Sequence, residues 1–289
     1  MYVALGEPLE PIFQHFQRAC QELGEKVRLV SDLGPDILLS WRFDSDNTSS
    51  TLQFGDQIRL GEHEIKGVFV QRPPNLDVDS NLSEQSEQTQ AEKNAIMYAW
   101  FWSLVCPVIN RYPPAFWFAF GVPLAVWQPL IVACGLKAPD TILSNSEGDL
   151  RDFASDFGGN VCYSPFSGNK TYRIATKEDW LGLNKMRVDC PVNLISSVLP
   201  VYRACVVEQE VIWNQTASGL MRRCEGSLKQ LAAMAGLDFL EICLMTHRGE
   251  LRVQAIEAFP KLRGFSDASL QEIAKALAAL FQSRSGLLR

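Results

Sequence analysis

The sequence has no surplus of basic residues, and this restricts the partners that we expect. Its 289 residues include 27 lysines and arginines against 33 aspartates and glutamates, which gives a net charge of -6. A protein that binds nucleic acid needs a basic surface to neutralise phosphates. Long apolar runs are also missing, because four prolines, Asn110 and Arg111 interrupt the most apolar stretch, residues 98–127. We therefore expect neither nucleic acid nor a membrane as a partner.

Paired cysteines and clustered histidines are missing as well. The eight cysteines are spread singly and never form a Cys-x-x-Cys motif, and the start MYVALGEPLEP lacks a secretory pattern. This favours reduced thiols in a cytoplasmic protein. His15, His63 and His247 form no pair at metal-ligand spacing, and no serine motif lies beside them. We expect neither a zinc site nor a cysteine or serine nucleophile.

Hydrophobic patterning predicts an N-terminal α/β domain over residues 1–120. Its first elements are a strand, a helix and two strands, predicted at 2–5, 8–23, 27–30 and 36–41. Residues 51–60 and 64–70 alternate apolar and polar side chains about a Gly-Glu turn, which predicts a hairpin. Residues 75–90 are rich in Ser, Gln, Asn and Glu, so that they form either a mobile loop or the polar start of a helix.

The remaining sequence predicts two further parts. Residues 121–190 contain a helix at 124–134, ended by Gly135, and then short strands around one more helix, which together are typical of a small lid-like α+β subdomain. Residues 191–289 predict an antiparallel C-terminal sheet with helices. Its elements are strand pairs at 199–207 with 210–216 and 239–245 with 251–258, and helices at 228–235 and 269–281.

Four stretches carry a resemblance to a known family. They are VFVQRPP at 68–74, VINRYPPAFW at 108–117, WQPLIVACGLKAPDTILSNSEGDLRDF at 127–153 and GLDFLEICLMTHRGELRVQAIEAFP at 236–260. In order and spacing they resemble the ATP-grasp superfamily, in particular the microviridin-type ligases that modify ribosomally made peptides, and the related glutamate ligases. The resemblance implies a mixed α/β and α+β fold with a pre-ATP-grasp N-terminal domain, a lid and a C-terminal antiparallel sheet.

The resemblance also implies a site for ATP and Mg²⁺, in which lysines neutralise phosphates while carboxylates and an asparagine hold the metal. Such a site activates a carboxylate as an acyl phosphate for attack by an amine or hydroxyl, mostly through positioning and electrostatics. Four positions of this sequence depart from the pattern. The two lysine positions are Ala125 and Ser164, and the metal-binding aspartate and asparagine positions are Cys243 and Phe259.

Four residues are the candidates for what remains of the site. Arg203 matches the arginine that contacts the phosphates and is the candidate catalytic and cofactor-binding residue, although Val201 replaces the acidic residue that would orient it. Lys170, in the SGNK turn, is a second candidate cation for the cofactor. Glu257 keeps the glutamate of the Glu-x-Asn-Pro motif, and Glu241 is a candidate shifted metal ligand. Each has a structural alternative, such as a solvent-exposed turn lysine or an arginine that covers apolar surface.

Two hypotheses follow from this pattern. In the first, the chain is a non-catalytic binding or partner protein that acts beside a peptide-modifying ligase. In the second, it is a divergent ATP-dependent ligase that joins a carboxylate to an amine or hydroxyl, with ATP and Mg²⁺ as cofactors. A peptide substrate or a partner ligase is implied by the resemblance, and a homodimer is compatible with the sequence. The loss of both lysines, the aspartate and the asparagine favours the first hypothesis.

Overall fold

The structure is a computed structural model that describes residues 1–6, 9–30, 37–43, 48–54, 58–71, 84–113, 116, 122–166, 171–197 and 201–287. The chain divides into two compact units. The first comprises Met1–Phe118, Leu237–Phe239 and Ser266–Arg289, and the second comprises Ala119–Gly236 and Leu240–Phe265. The described residues form seven α-helices and fifteen strands. None of the described helices has the length and apolar character to cross a membrane.

The first unit is built on a parallel four-stranded sheet. Its strands are β1 (Tyr2–Leu5), β2 (Val27–Val30), β6 (Gly67–Val70) and β7 (Val108–Ile109), in the order β2-β1-β6-β7. The helices α1 (Pro11–Glu22) and α7 (Asp267–Leu287) supply aromatic side chains to its core, where the Phe16 and Phe281 rings lie 5.7 Å apart. Gly67 permits this packing, because a Cβ atom there would lie 2.5 Å from the Phe281 ring.

A second sheet in this unit corrects one prediction. Strands β3 (Ile37–Phe43), β4 (Thr48–Phe54) and β5 (Ile58–Gly61) form an antiparallel sheet in the order β3-β4-β5. The predicted hairpin between 51–60 and 64–70 is therefore wrong, since β4 pairs with β5 and β6 joins the parallel sheet. A short 3₁₀ helix, Glu62–Glu64, separates them. Alternating patterns identify strands but not their partners.

Helix α2 (Glu84–Ser103) begins inside the polar segment, in agreement with its interpretation as the start of a helix. Residues 75–83 of that segment lie outside the described residues. The buried Trp100 of α2 donates from Nε1 to Ser50 Oγ at 3.0 Å, which ties the helix to β4. Near the end of β7, the side chain of the buried Asn110 donates to Phe239 O and accepts from the backbone N–H groups of Asp238 and Phe239. The asparagine of the VINRYPP motif is thus a structural residue.

The second unit contains the lid subdomain. After α3 (Leu124–Ala133) come β8 (Thr141–Ser144), α4 (Glu147–Asp156), β9 (Val161–Tyr163), β10 (Tyr172–Arg173), α5 (Lys177–Asp189) and β11 (Val192–Ser196). The lid sheet is antiparallel in the order β10-β9-β11-β8. Its core contains Leu150 of α4, Leu183 of α5 and Leu194 of β11.

Helix α5 was not predicted, because its apolar residues do not follow a helical period. Of its thirteen residues, Leu183 alone is buried. A local signal was present all the same. Thr176 accepts a hydrogen bond from the Asp179 N–H, and the Asp179 side chain accepts one from the Thr176 N–H. This reciprocal pair is a capping box, which marks a helix start in the sequence TKED.

The C-terminal sheet completes the second unit. Its strands are β12 (Val201–Val207), β13 (Glu210–Trp213), β14 (Phe239–His247) and β15 (Glu250–Glu257), in the order β13-β12-β14-β15. Helix α6 (Gly219–Met234) contacts β12, β13 and β15. Both predicted hairpins are confirmed, and β14 pairs with β15 from Glu241↔Glu257 to His247↔Glu250.

Candidate nucleotide and metal site

The C-terminal sheet brings three of the four candidate residues together. Arg203 lies on β12, Glu241 on the neighbouring β14, and Glu257 at the end of β15, directly opposite Glu241. Residues directly opposite in an antiparallel pair point to the same face, with Cβ atoms about 5 Å apart. The fourth candidate, Lys170, lies outside the described residues, so that its role stays a prediction.

Glu241 is fully buried, and both of its carboxylate oxygens accept hydrogen bonds from protein donors. Arg203 Nη1 donates to Oε1 at 2.5 Å. The backbone N–H groups of Lys261 and Leu262 both donate to Oε2 at 2.9 Å. A buried charge is tolerated when it is paired and hydrogen-bonded in this way. A metal ion could reach this carboxylate only if some of these bonds were displaced.

The loop after β15 is shaped around Glu241. Leu262 is buried and has a φ of 53°, a left-handed conformation that is uncommon for a residue with a branched side chain. This conformation accompanies the approach of two successive N–H groups, those of Lys261 and Leu262, to one carboxylate oxygen. The loop that carries the position of the expected asparagine ligand, Phe259, thus caps a buried carboxylate.

Glu257 has a different environment. Its side chain is 18% exposed, and the Lys261 ammonium lies 3.6 Å from its Oε2 atom. Burial raises the pKa of the Glu257 carboxyl above its ordinary value, the Lys261 charge opposes that shift, and the nearby Glu241 charge adds to it. Lys261 was not identified from the sequence. Its signal was its place four residues after Glu257, one residue beyond the Glu-x-Asn-Pro motif.

Cys243 lies two residues after Glu241, opposite Ala255, at the point where a bulge shifts the register of β14 and β15. Its side chain is buried, and burial together with the Glu241 charge raises the pKa of the thiol to about 12. A metal needs the thiolate form, and Mg²⁺ prefers oxygen ligands over sulfur. Cys243 is therefore an inert thiol in a position where a magnesium site needs a carboxylate.

The first expected lysine position packs against the lid sheet. Ala125, with Leu124 and Gln128 of α3, lines a cavity of about 10 Å³ together with residues of the 138–141 segment and of β11. That volume holds roughly one water molecule. Asn193 on β11 borders this cavity, and its Oδ1 atom is buried with no hydrogen-bond partner among the described residues.

The second expected lysine position is Ser164, just after β9. Ser164 is 3% exposed, and both its backbone N–H and its carbonyl are hydrogen-bonded to Asn193 of β11. Its N–H donates to Asn193 O at 3.0 Å, and its carbonyl accepts from Asn193 Nδ2 at 2.9 Å. The side chain is neutral, so that neither expected lysine position provides a positive charge for phosphates.

Strand β15 also makes polar contacts to segments next to the lid strands. Arg252 Nη1 donates to Asp140 Oδ2 at 2.8 Å, and Gln254 Nε2 donates to Ser197 Oγ at 2.7 Å. The Val253 N–H donates to Lys137 O at 2.7 Å. These hydrogen bonds connect β15 to residues 137–140, just before β8, and to Ser197, just after β11.

The described donors fit neither Mg²⁺ nor a triphosphate well. The part of the chain that the structure describes contains no group of three or more His, Cys, Asp or Glu side chains suited to a metal ion. Mg²⁺ needs near-octahedral oxygen coordination, whereas here Glu241 is occupied by protein donors, Glu257 lies beside an ammonium, and Cys243 offers a protonated thiol. Arg203, Glu241, Glu257 and Lys261 form a charged cluster. It contains two cations and two carboxylates, whose charges cancel.

Comparison with known proteins places the fold. Neither a protein-family model nor a curated protein matches the sequence. Solved structures do match. The macrocyclase MdnC of Microcystis aeruginosa, bound with the precursor peptide MdnA, has a TM-score of 0.75 at 17% identity, over 98% of this chain and 99% of that chain.

Two further structures agree. A RiPP-associated ATP-grasp ligase of Chryseobacterium gregarium, in complex with ADP and a leader and core peptide, has a TM-score of 0.73 at 14% identity, over 98% of this chain and 96% of that chain. The ATP-grasp ligase PsnB, complexed with minimal precursor, Mg and ADP, has a TM-score of 0.70 at 16% identity, over 99% and 98% of the two chains. The chain therefore has the ATP-grasp fold, and the resemblance to microviridin-type peptide ligases is confirmed at the level of the fold.

Proposed function

We propose that the chain is a non-catalytic binding protein with an ATP-grasp fold, which associates with a peptide or with a peptide-modifying ligase. The observation that carries the proposal is the state of Glu241. Its carboxylate is 0% exposed, and all its described contacts are with protein donors, namely Arg203, Lys261 and Leu262. A carboxylate held in this way contributes to structure, and Glu241 could serve as a shifted metal ligand only if these donors were displaced.

The positions expected to hold phosphate support the same conclusion. Ala125 and Ser164 are neutral and packed, and Arg203, the remaining described candidate, already pairs with Glu241. Phosphoryl transfer depends almost entirely on cations that are placed to neutralise developing charge. An ATP-dependent reaction has little electrostatic support from these described residues.

The peptide side of the proposal rests on the fold alone. MdnC, PsnB and the Chryseobacterium ligase were all solved with precursor or leader peptides. A chain that keeps this fold over 98% of its length can retain a peptide-binding surface after the loss of nucleotide turnover. We therefore expect its partner to be a precursor-type peptide or the ligase that modifies one.

Isothermal titration of the full chain with Mg-ATP tests the proposal. We expect no saturable heat, corresponding to a dissociation constant weaker than about 1 mM, or about 4 kcal/mol of binding free energy. The matched control is ATP with EDTA in place of Mg²⁺, which separates metal-dependent binding from nonspecific attraction of the nucleotide. Micromolar, Mg-dependent binding would show that the site is intact in function.

A divergent ligase is the second candidate, and one observation favours it: Arg203, Glu241 and Glu257 do converge on one face of the C-terminal sheet. This candidate predicts ADP release in the presence of a peptide with free carboxylates. The release should be lost in Arg203→Ala and Glu257→Ala and kept in Arg222→Ala, an exposed control on α6. If both site variants release ADP as the unchanged chain does, these residues have no catalytic role.

A further inference from the structure

Among the described residues, the charged side chains around Glu241 and Glu257 balance one another. Within the described part of the cluster, Arg203 and Lys261 contribute two positive charges, and Glu241 and Glu257 contribute two negative ones. A divalent-cation site instead needs carboxylates whose charge is not already compensated by nearby ammonium or guanidinium groups.

Lys261 is the group that the geometry identifies. Its Nζ atom lies 3.6 Å from Glu257 Oε2, the carboxylate that stands in the ligand position of the Glu-x-Asn-Pro motif. The ammonium therefore lies beside the carboxylate that keeps one of the three expected ligand positions.

The backbone fixes this placement. The Lys261 N–H donates to Glu241 Oε2, and the next residue, Leu262, donates to the same oxygen from a left-handed conformation. The base of the Lys261 side chain is thereby anchored, although the side chain itself is 48% exposed. A flexible lysine on a free loop would not have this constraint.

We propose that the Lys261 ammonium is a built-in substitute for the divalent cation, which neutralises Glu257 and keeps metal ions out of the cluster. This inference deepens the proposed function, on which it rests, by naming the residue that regulates cation access to that site. A divalent cation placed near Glu257 would meet the like charge of Lys261 a few ångströms away, and this repulsion opposes binding.

Charge reversal at this one position tests the proposal. In Lys261→Glu an added carboxylate would stand beside Glu257, where the ammonium lies now. The probe is Mn²⁺ alone, whose binding is followed by the loss of its free-ion paramagnetic resonance signal. We expect Lys261→Glu to bind Mn²⁺ at least about tenfold more tightly than the unchanged chain, and Lys261→Met to fall between the two.

The matched control is Lys137→Glu. Lys137 also pairs with a carboxylate of the β14–β15 hairpin, Glu250, but at the opposite end and away from the cluster. The Lys137→Glu substitution therefore places a new carboxylate beside Glu250, far along the hairpin from the expected ligand positions. Both lysines are exposed, so that neither substitution disturbs the core. Lys261→Arg, which keeps the charge, should behave as the unchanged chain does.

The inference is overturned if Lys261→Glu binds Mn²⁺ no more tightly than Lys137→Glu, or if the unchanged chain already binds Mn²⁺ as tightly as Lys261→Glu. These outcomes are separate from the test of the proposed function. Absence of Mg-ATP binding by the unchanged chain together with no Mn²⁺ gain in Lys261→Glu would leave the non-catalytic proposal standing and remove the role of Lys261.

Discussion

The lid sheet and the C-terminal sheet differ from a nucleotide-binding site in two distinct ways. At the two expected lysine positions near the lid the described residues carry no charge, since Ala125 and Ser164 are neutral and packed beside Asn193. In the C-terminal sheet charged residues remain, but they compensate one another, as Arg203 does with Glu241. The first change removes attraction for phosphate. The second keeps carboxylates in place while it lowers their attraction for a metal.

A carboxylate at or near an expected ligand position is therefore weak evidence for a metal site. Glu241 and Glu257 lie directly opposite each other, as two ligands of one ion could, yet one is sealed by protein donors and the other lies beside an ammonium. The neighbours of a candidate ligand decide what it can bind. The following predictions test the difference between the two sheets.

The largest effect is expected at Glu241. Glu241→Ala leaves the Arg203 guanidinium and the N–H groups of Lys261 and Leu262 without their acceptor. Removal of one partner of a buried ion pair typically costs about 3–5 kcal/mol. Urea denaturation should show a loss of unfolding free energy of this size.

The control for this variant is Glu250→Ala at the other end of the same hairpin, where the paired side chains are about half exposed. An exposed ion pair is worth about 0–1 kcal/mol, so its loss should be small. Equal destabilisation by the two substitutions would contradict the structural role of Glu241.

A smaller effect is expected in the lid sheet. Asn193→Ala removes the bond from Nδ2 to the buried Ser164 carbonyl. An unsatisfied buried carbonyl costs about 1–3 kcal/mol, and urea denaturation measures this loss directly. Asn160→Ala, which removes a similar bond to Phe157 O at an exposed position, should cost less. The reverse order would mean that the Ser164 position is not held by Asn193.

The smallest effect concerns the pH dependence of stability and Glu257. Because the folded-state pKa of this carboxyl is raised above its ordinary value of 4.5, the folded state holds the proton more tightly than the unfolded state. The contribution of this group to stability is therefore fully present below pH 4.5 and is lost as the pH rises through the folded-state pKa. Glu257→Gln, which cannot titrate, should lack this decline.

The measurement for Glu257 is the difference in unfolding free energy between the two proteins as the pH is raised from below 4.5. Taking this difference removes the contributions that other titrating groups make equally to both proteins. A stability of the unchanged chain that rises with pH relative to Glu257→Gln would mean that the carboxylate form is favoured by its surroundings.

Much of the fold could be predicted because its signals are local. The β14–β15 hairpin is predicted by two apolar runs around HRGE, and α3 by its end at Gly135. The pairing of residues 51–70 was wrong, because the choice of partner strand depends on contacts with distant segments such as β1. Helix α5 was not predicted because its apolar residues lack a helical period, although its first residues carry a capping box. The predicted domain boundaries stay a prediction.

The sequence predicted which expected ligand positions carry other residues. It did not predict which charged residues pair with one another at the site. The sequence alone indicated Ala125, Ser164, Cys243 and Phe259, because a motif defines which residue type each position needs. Arg203 pairs with Glu241, and Lys261 lies beside Glu257. Both contacts depend on how β12, β14 and the loop after β15 are arranged in the folded chain. No spacing rule relates residues on three different segments. The roles of Arg203, Lys170, Glu241 and Glu257 as site residues stay predictions.

Thermal unfolding of the chain with and without saturating Mg-ATP tests the central claim most directly, because a ligand that binds the folded state must raise Tm. Binding at a concentration of 100 times the dissociation constant would add about 2.7 kcal/mol of stability. The charge-balanced cluster predicts no change in Tm. A rise of several degrees that disappears on removal of Mg²⁺, and again in Arg203→Met, would contradict it.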